Sequence, residues 1–326
     1  MKRSHTATHT FGVRPLAVAA ATGVLTLGGV FALGAAAVPA GASVPALPKC
    51  LAAGSTGLTT AMTATSNVTS LTVNATGCDL GIYVPPGTSG ITISGVTVTG
   101  ANDHGIFVQD ADNVTISGSS VTGNGVAPTT GIAENKAIEL VGTTNSTVTG
   151  NTVEGNTGDG GIGLADDGTL DPGAPNAGTL HASTGDTISN NKSIGNYAGC
   201  GIVVAAYDPG AGISTATVSG NTVSGTIGAF GPHGPVIGGI VVAADTPHTS
   251  VSNVTVTGNT ITGSFIPGIV VHSNAPLDTV SGVQLTSNRL SGDDWGSTDG
   301  PPVPAGILVA ATQIPAPVTP TLTGTT

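Results

Sequence analysis

The sequence predicts an all-β chain wound into a solenoid, and three observations carry that expectation. Only 8% of the 326 residues are charged and 3% are aromatic, while 51 are Gly. Soluble domains average roughly 25% charged residues and about 7% Gly, so helical bundles and mixed α/β folds are disfavoured. The chain is 39% apolar and rich in Val and Ile, which excludes disorder, because disordered chains are poor in apolar residues and rich in charge. A tetrad of the form Gly-Ile-x-Val, or a near variant, starts at Gly81, Gly105, Ala137, Gly161, Gly201, Gly239, Gly268 and Gly306. Self-similarity at such periods is the sign of stacked repeats.

In chain order the first element is a leader. Lys2, Arg3 and Arg14 precede an uncharged Ala/Gly/Val/Leu stretch from Pro15 to Val38, and Ala40-Gly41-Ala42 supplies small residues for cleavage, so residues 1–42 read as a signal peptide and the protein as secreted. No second apolar run of spanning length follows, and no membrane span is expected after cleavage. Removal of the leader takes three of the seven basic residues. Four then stand against 18 acids, and the net charge moves from −11 to −14. Such a surface repels nucleic acid, and it repels acidic polysaccharides unless a divalent cation bridges the two.

Residues 43–80 read as an N-terminal cap over the first open edge, which every solenoid must cover. In an exported protein Cys50 and Cys78 can pair across a modest loop and staple this cap. Cys200 is left over, and strand alternation assigns it to the interior.

The coils follow over residues 81–315. After most tetrads comes a unit such as ITISGVTVTG from Ile91, ATVSGNTVSG from Ala216 or VTVTGNTITG from Val254. Each is two short strands broken by a two-residue corner, with Ile, Val and Leu facing inward and Thr or Ser outward. Gly and Asn at the corners tolerate the left-handed backbone a sharp bend requires. Register puts Asn151, Asn191, Asn221, Asn259 and Asn288 in one column, with Val96 and Ser119 in the same slot of the earlier coils. Stacked amides reward parallel in-register pairing, and crossovers between parallel strands are right-handed. Residues 316–326 are Pro/Thr-rich and read as a loose tail.

These tetrads and corner units resemble the repeat of right-handed parallel β-helix proteins of the pectate-lyase-like type, over roughly Gly81 to Pro315. The resemblance implies about eight coils behind the cap, with a polysaccharide groove on the first sheet between two rows of loops. It speaks to fold more than to activity, because lyases, hydrolases, epimerases, adhesins and phage tailspikes share that architecture.

On the first strands, the residue between the inward Ile and Val, and the residue two further on, point outward. That face carries Tyr83, Phe107, Gln109, Glu139, Val203, Val241, Val270, His272 and Leu308. Long loops converge beside it with Asp166, Asp167, Asp171, His181, Tyr207, Asp208, His233, Asp293, Asp294 and Trp295. Glycoside hydrolysis needs one protonated and one ionised carboxyl group, so Glu139 and Asp166 are candidate acid and base or nucleophile, with Asp167, Tyr207 and Asp208 beside them. Gln109, His233, His272 and Trp295 are candidate substrate contacts.

Asp166-Asp167 resembles the adjacent aspartates of polygalacturonase-type hydrolases, but the Asn-Thr-Asp, Gly-His-Gly and Arg-Ile-Lys motifs of that family are not found. Tyr207-Asp208-Pro209 resembles the Asp-Pro-His motif of alginate epimerases and lyases, with Gly210 in the third place. A lyase also needs a base and a cationic or metal neutraliser, and the coils hold only Lys136, Lys192 and Arg289. No metal-ligand spacing is present among the His residues of the mature chain, and no metal site is assigned. The acidic loops offer oxygens of the kind Ca²⁺ takes. His104, beside Asp103, reads as a turn histidine.

Val203, Val241, Val270 and Leu308 form an apolar stripe on the outward face. A stripe of this kind calls for a cover, either loops of the chain or a partner, and it shifts the candidate groove toward coils two to five. Two functions stand side by side: binding or processing of extracellular polysaccharide in a groove on the first sheet, and a non-catalytic structural or adhesive solenoid. Whether the chain is an enzyme stays open between them.

Overall fold

A computed structural model describes residues 49–126, 135–166, 180–196, 199–226, 238–264, 267–293, 306–311 and 320–326. No helix occurs among the described residues. Four sheets account for the strands. The front sheet of ten strands holds the tetrads, running from Leu51–Ala52 to Ile307–Ala311. The second, of nine strands, runs from Val68–Thr69 to Thr321–Thr323. The third, of eight, runs from Thr72–Asn74 to Arg289–Ser291. A four-stranded ladder from Ser183–Thr184 to Thr279–Ser281 fills the corner between the front and second sheets.

Apart from Leu51–Ala52, each strand pairs in parallel with its copy one coil away. Ile82, Ile106, Ile138, Ile162, Ile202, Ile240 and Ile269 stand in one register line and belong to a single buried core. Burying each such side chain contributes roughly 1.5–3 kcal/mol, and the core runs the length of the solenoid.

The glycine that opens most of the tetrads has a steric cause. A Cβ on Gly81 would lie 2.3 Å from Val98 Cγ1 and 2.3 Å from the Gly105 carbonyl oxygen, and one on Gly201 would lie 2.3 Å from Val223 Cγ1. The front strand is thus pinched against the third sheet at this point. Since both the Gly and the following Ile face inward, the residue before the Gly is turned out. Cys200 occupies that place. Alternation assigned it to the interior, but it packs with Val203, Val241 and Val270 on the outer side of the front sheet, where it is buried.

The amide column forms as a buried ladder. Asn151, Asn191, Asn221 and Asn259 each donate through Nδ2 to the Oδ1 of the next Asn, at 2.9–3.0 Å. The same oxygens accept backbone N–H groups. A second ladder, Asn124 to Asn156 to Asn196, follows the third sheet.

Both ends differ from the sequence reading. Within the segment read as a cap, Thr59–Thr63, Val68–Thr69 and Thr72–Asn74 already form a coil, paired in parallel with the next. It lacks the tetrad, so the repeat does not reveal it. Leu51–Ala52 is the element that closes the edge, pairing antiparallel with Thr59–Thr63. Cys50 and Cys78 are joined in a disulfide with a Cα–Cα distance of 5.5 Å. Within the segment read as a tail, Thr321–Thr323 pairs with Gln284–Thr286.

Candidate functional site

The outer face of the front sheet is buried rather than an open groove. Tyr83, Phe107, Gln109, Glu139, Val141, Val203, Val241, Val270 and His272 are each at most 5% exposed. Of the apolar stripe, Val203, Val241 and Val270 are thus covered within the chain, whereas Leu308 at its end is only partly buried. Alternation along a strand tells which side a residue takes, but not whether a further layer lies over that side.

Coils two to four gather a charged constellation there. Lys136 and His104 stand just before Ala137 and Gly105, the turned-out position that the pinch creates. His104 Nδ1 lies 3.1 Å from Glu139 Oε2 and 3.0 Å from the Lys136 carbonyl oxygen. Both neighbours are acceptors, so Nδ1 carries the proton. Nε2 is buried and has no hydrogen-bond partner, and the ring stacks on Phe107 with centroids 4.9 Å apart. Lys136 Nζ donates to Asp159 Oδ2 at 2.8 Å, and Asn135 donates to Asp103 at 3.3 Å. Tyr83 donates from its hydroxyl to Gln109 Oε1 at 2.9 Å. Gly163 makes room for the group: a Cβ there would lie 2.8 Å from Lys136 Cγ and 3.1 Å from Glu139 Oε1.

Asp166 has a different role from the one its position suggests. It is 0% exposed, and its oxygens accept the backbone N–H groups of Tyr207 at 2.7 Å, Asp208 at 3.3 Å and Gly212 at 2.7 Å. The carboxylate pins the turn that follows the next front strand. Burial pushes its pKa up to about 6 against the pull of those N–H groups, with the neighbouring Asp208 adding a smaller upward push. Asp208 is itself fully buried. Tyr207 is half-buried against both apolar clusters of the outer face, and its carbonyl accepts from the Thr246 hydroxyl.

Glu139 and Asp166 thus have separate partners. Asp166, Tyr207 and Asp208 come together, but through backbone groups. Gln109 is committed to Tyr83. His272 is 3% exposed, and burial lowers its pKa while Asp278 opposes that shift. Asp167, Asp171, His233, Asp294, Trp295 and the leader lie outside the described residues. Among the described residues no three His, Cys, Asp or Glu side chains are grouped so as to hold a metal ion. Of the constellation, the sequence reading takes His104 as a turn histidine, although it opens the strand His104–Gln109, counts Lys136 only as one of few cations, and does not single out Asp159. The signal was available: two polar residues precede the tetrad in successive coils where other coils carry Leu80, Gly160 and Cys200.

Three parallel sheets stacked coil on coil, with an inward aliphatic column and amide ladders, define a parallel β-helix. Residues 56–290 match the family described as the right handed beta helix region, and the protein belongs to that family. No curated protein matches the chain in sequence. Among solved structures, it is similar to the tailspike protein of E. coli bacteriophage HK620 in complex with a pentasaccharide. The TM-score is 0.53 at 15% identity, over 79% of this chain and 41% of the tailspike, so the chain spans well under half of that relative. Endopolygalacturonase I from Stereum purpureum, complexed with two galacturonates, gives a TM-score of 0.47 at 17% identity, over 79% of this chain and 68% of its own. PfbA, a surface adhesin of Streptococcus pneumoniae, gives 0.32 at 13% identity, over 65% and 68%. The likeness to the tailspike is one of fold.

Proposed function

We propose that the protein is exported and binds extracellular polysaccharide without cleaving it. The observation that carries the non-hydrolytic part is the engagement of Asp166, whose two oxygens are taken by three backbone N–H groups. A general acid or nucleophile must reach substrate, and this carboxylate reaches a turn. Binding rests on the fold shared with a tailspike whose structure holds a pentasaccharide. Export rests on the leader pattern of residues 1–42 and on the Cys50–Cys78 disulfide, a bond that persists in oxidising compartments.

Co-sedimentation with neutral and acidic polysaccharides tests the proposal, beside reducing-sugar and unsaturated-product assays. The expected result is retention without product. Product formed by the wild-type chain and lost in Glu139→Gln or Asp166→Asn, at unchanged melting temperature, overturns it.

One observation favours a second reading. A histidine whose Nδ1–H is held by a carboxylate and whose Nε2 has no donor is arranged as a general base oriented by an acid. On that reading His104 and Glu139 work as a pair with Lys136 as the nearby cation, and product formation disappears in His104→Gln while Asp166→Asn retains it.

A further inference from the structure

The outward side of the second sheet carries a surface that neither the core nor the front face uses. Its side chains stand in two in-register columns. In one, Thr92, Thr115, Thr147, Thr187, Thr217 and Thr255 follow one another rung by rung. In the other, every strand from Val68–Thr69 to Thr321–Thr323 contributes a Ser or Thr. All of these residues are partly or fully exposed. Hydroxyls in the second column bond to each other in places, as Ser189 to Thr149 at 3.0 Å and Thr286 to Thr257 at 2.7 Å. Among the described residues, none of the six Thr hydroxyls of the first column takes a protein partner.

The surface is uncharged over its whole length, although the chain holds 18 acidic residues. The corresponding columns of the third sheet are interrupted by Glu154, Lys192, Ile194 and Arg289. Exposed sheets ordinarily carry scattered charges, which keep them from associating, so the second sheet departs from the habit that the third follows. No aromatic ring lies in either column, so a sugar face would find nothing to stack on.

Thr is β-branched and stiff about χ1, so each rung holds a methyl and a hydroxyl in a fixed attitude. Strands stack about 4.7–4.9 Å apart, and successive outward residues on one strand are roughly 6.6 Å apart. From Thr92 to Thr255 the face is therefore a regular two-dimensional grid of hydroxyls, with a methyl on every rung of the first column and, in the second, wherever Thr stands in place of Ser, kept in register by the adjoining amide ladder. A single hydroxyl-to-water contact contributes little, but many sites engaging one lattice act together.

We propose that this face is an ice-binding surface, its ligand an uncharged, periodic lattice of water. Hydroxyls anchor lattice positions, and the intervening methyls order the water between them. The rung spacing lies close to the oxygen repeat of ice, and the absence of charge removes groups whose own hydration shells would disrupt the lattice. The front face plays no part.

The test uses the purified chain, with ice as the probe, in recrystallisation-inhibition and freezing-point hysteresis measurements. The expected result is arrested grain growth and faceted crystals with the wild type. Activity should be lost in Thr187→Tyr, at the middle of the free column, and kept in Thr222→Tyr on the third sheet. Thr217→Val, which removes a hydroxyl and adds no bulk, serves as a second variant should Thr187→Tyr unfold. Wild-type grains that coarsen as in buffer overturn the proposal, and so does equal loss in the second-sheet and third-sheet variants. Binding of wild type to crystalline cellulose or chitin that Thr187→Tyr abolishes, with no effect on ice, overturns it in favour of a polysaccharide platform.

Discussion

On the outer side of the front sheet the first three coils that carry a tetrad present Tyr83, His104, Phe107, Gln109, Lys136 and Glu139, whereas the next coils carry Gly163, Ala165, Val203, Ala205, Val241 and Val270. Both halves are buried, so they have met one requirement by opposite means. The early half is large and polar, and apart from His104 Nε2 its polar side chains find partners across neighbouring coils, as His104 Nδ1 does in Glu139 and Lys136 in Asp159. The later half, His272 apart, is small and apolar and there requires no partners. A buried polar group is costly unless it is hydrogen-bonded, so the early half depends on register in a way the later half does not.

The sharpest way to break this contrast is to remove one partner in the polar half. Asp159→Ala takes the carboxylate from a Lys136 side chain that is 1% exposed, and should destabilise the chain by about 3–5 kcal/mol in denaturant unfolding. Lys136→Met should cost less. The reverse order would mean that the early half is held by packing rather than charge.

A smaller effect is expected from pH at Asp166, on the coil where the two halves meet. Its folded pKa of about 6 lies above the ordinary value of 3.8, so between those values the folded chain binds more protons than the unfolded one. The stability tied to this group is complete below about pH 4 and is lost as pH rises through about 6, by up to about 3 kcal/mol. Asp186, raised to about 7 chiefly by burial, acts in the same direction. Melting temperature should fall between pH 4.5 and 7.5, and Asp166→Asn should flatten the lower part of that slope. A melting temperature that rises over the interval would contradict the assignment.

Gly163→Val probes the boundary from the small side. Its added atoms meet Lys136 and Glu139, and overpacking of this kind costs about 2 kcal/mol. Differential scanning calorimetry should show the loss. It should shrink in a Lys136→Ala background if the clash is the cause. The least effect belongs to Val241→Thr in the apolar half, where one buried hydroxyl without a partner costs about 1 kcal/mol. The same measurement on Phe107→Tyr would show whether the polar half absorbs a hydroxyl more easily.

Most of the architecture was legible in the sequence because its determinants repeat. The pinch that forces Gly at the head of the tetrad recurs in coil after coil, and the amide column was readable from Asn151 to Asn288 because one residue type persists there. The ladder of Asn124, Asn156 and Asn196 was not read, since it lasts three coils before Thr226, Ser264 and Asp293 replace it. The site was less legible for a different reason. His104 and Glu139 are 35 positions apart, and their meeting depends on how two coils of unequal length align. Asp166 was read as a free acid because its partners, the N–H groups of Tyr207, Asp208 and Gly212, belong to the backbone, which leaves no trace in residue type.

The amide ladder has a mechanical consequence. It starts at Ser119, which accepts from the Val96 N–H and whose own N–H reaches Asn151, so the turns before it have no amide rail at that corner. Those are the turns beside the Cys50–Cys78 clasp. The molecule is fastened by two devices laid end to end, one covalent and one a relay of aligned dipoles. A reductant would loosen the opening turns while the remainder stayed zipped, and a pull along the axis would strain the rail at every rung together rather than peel it from one end.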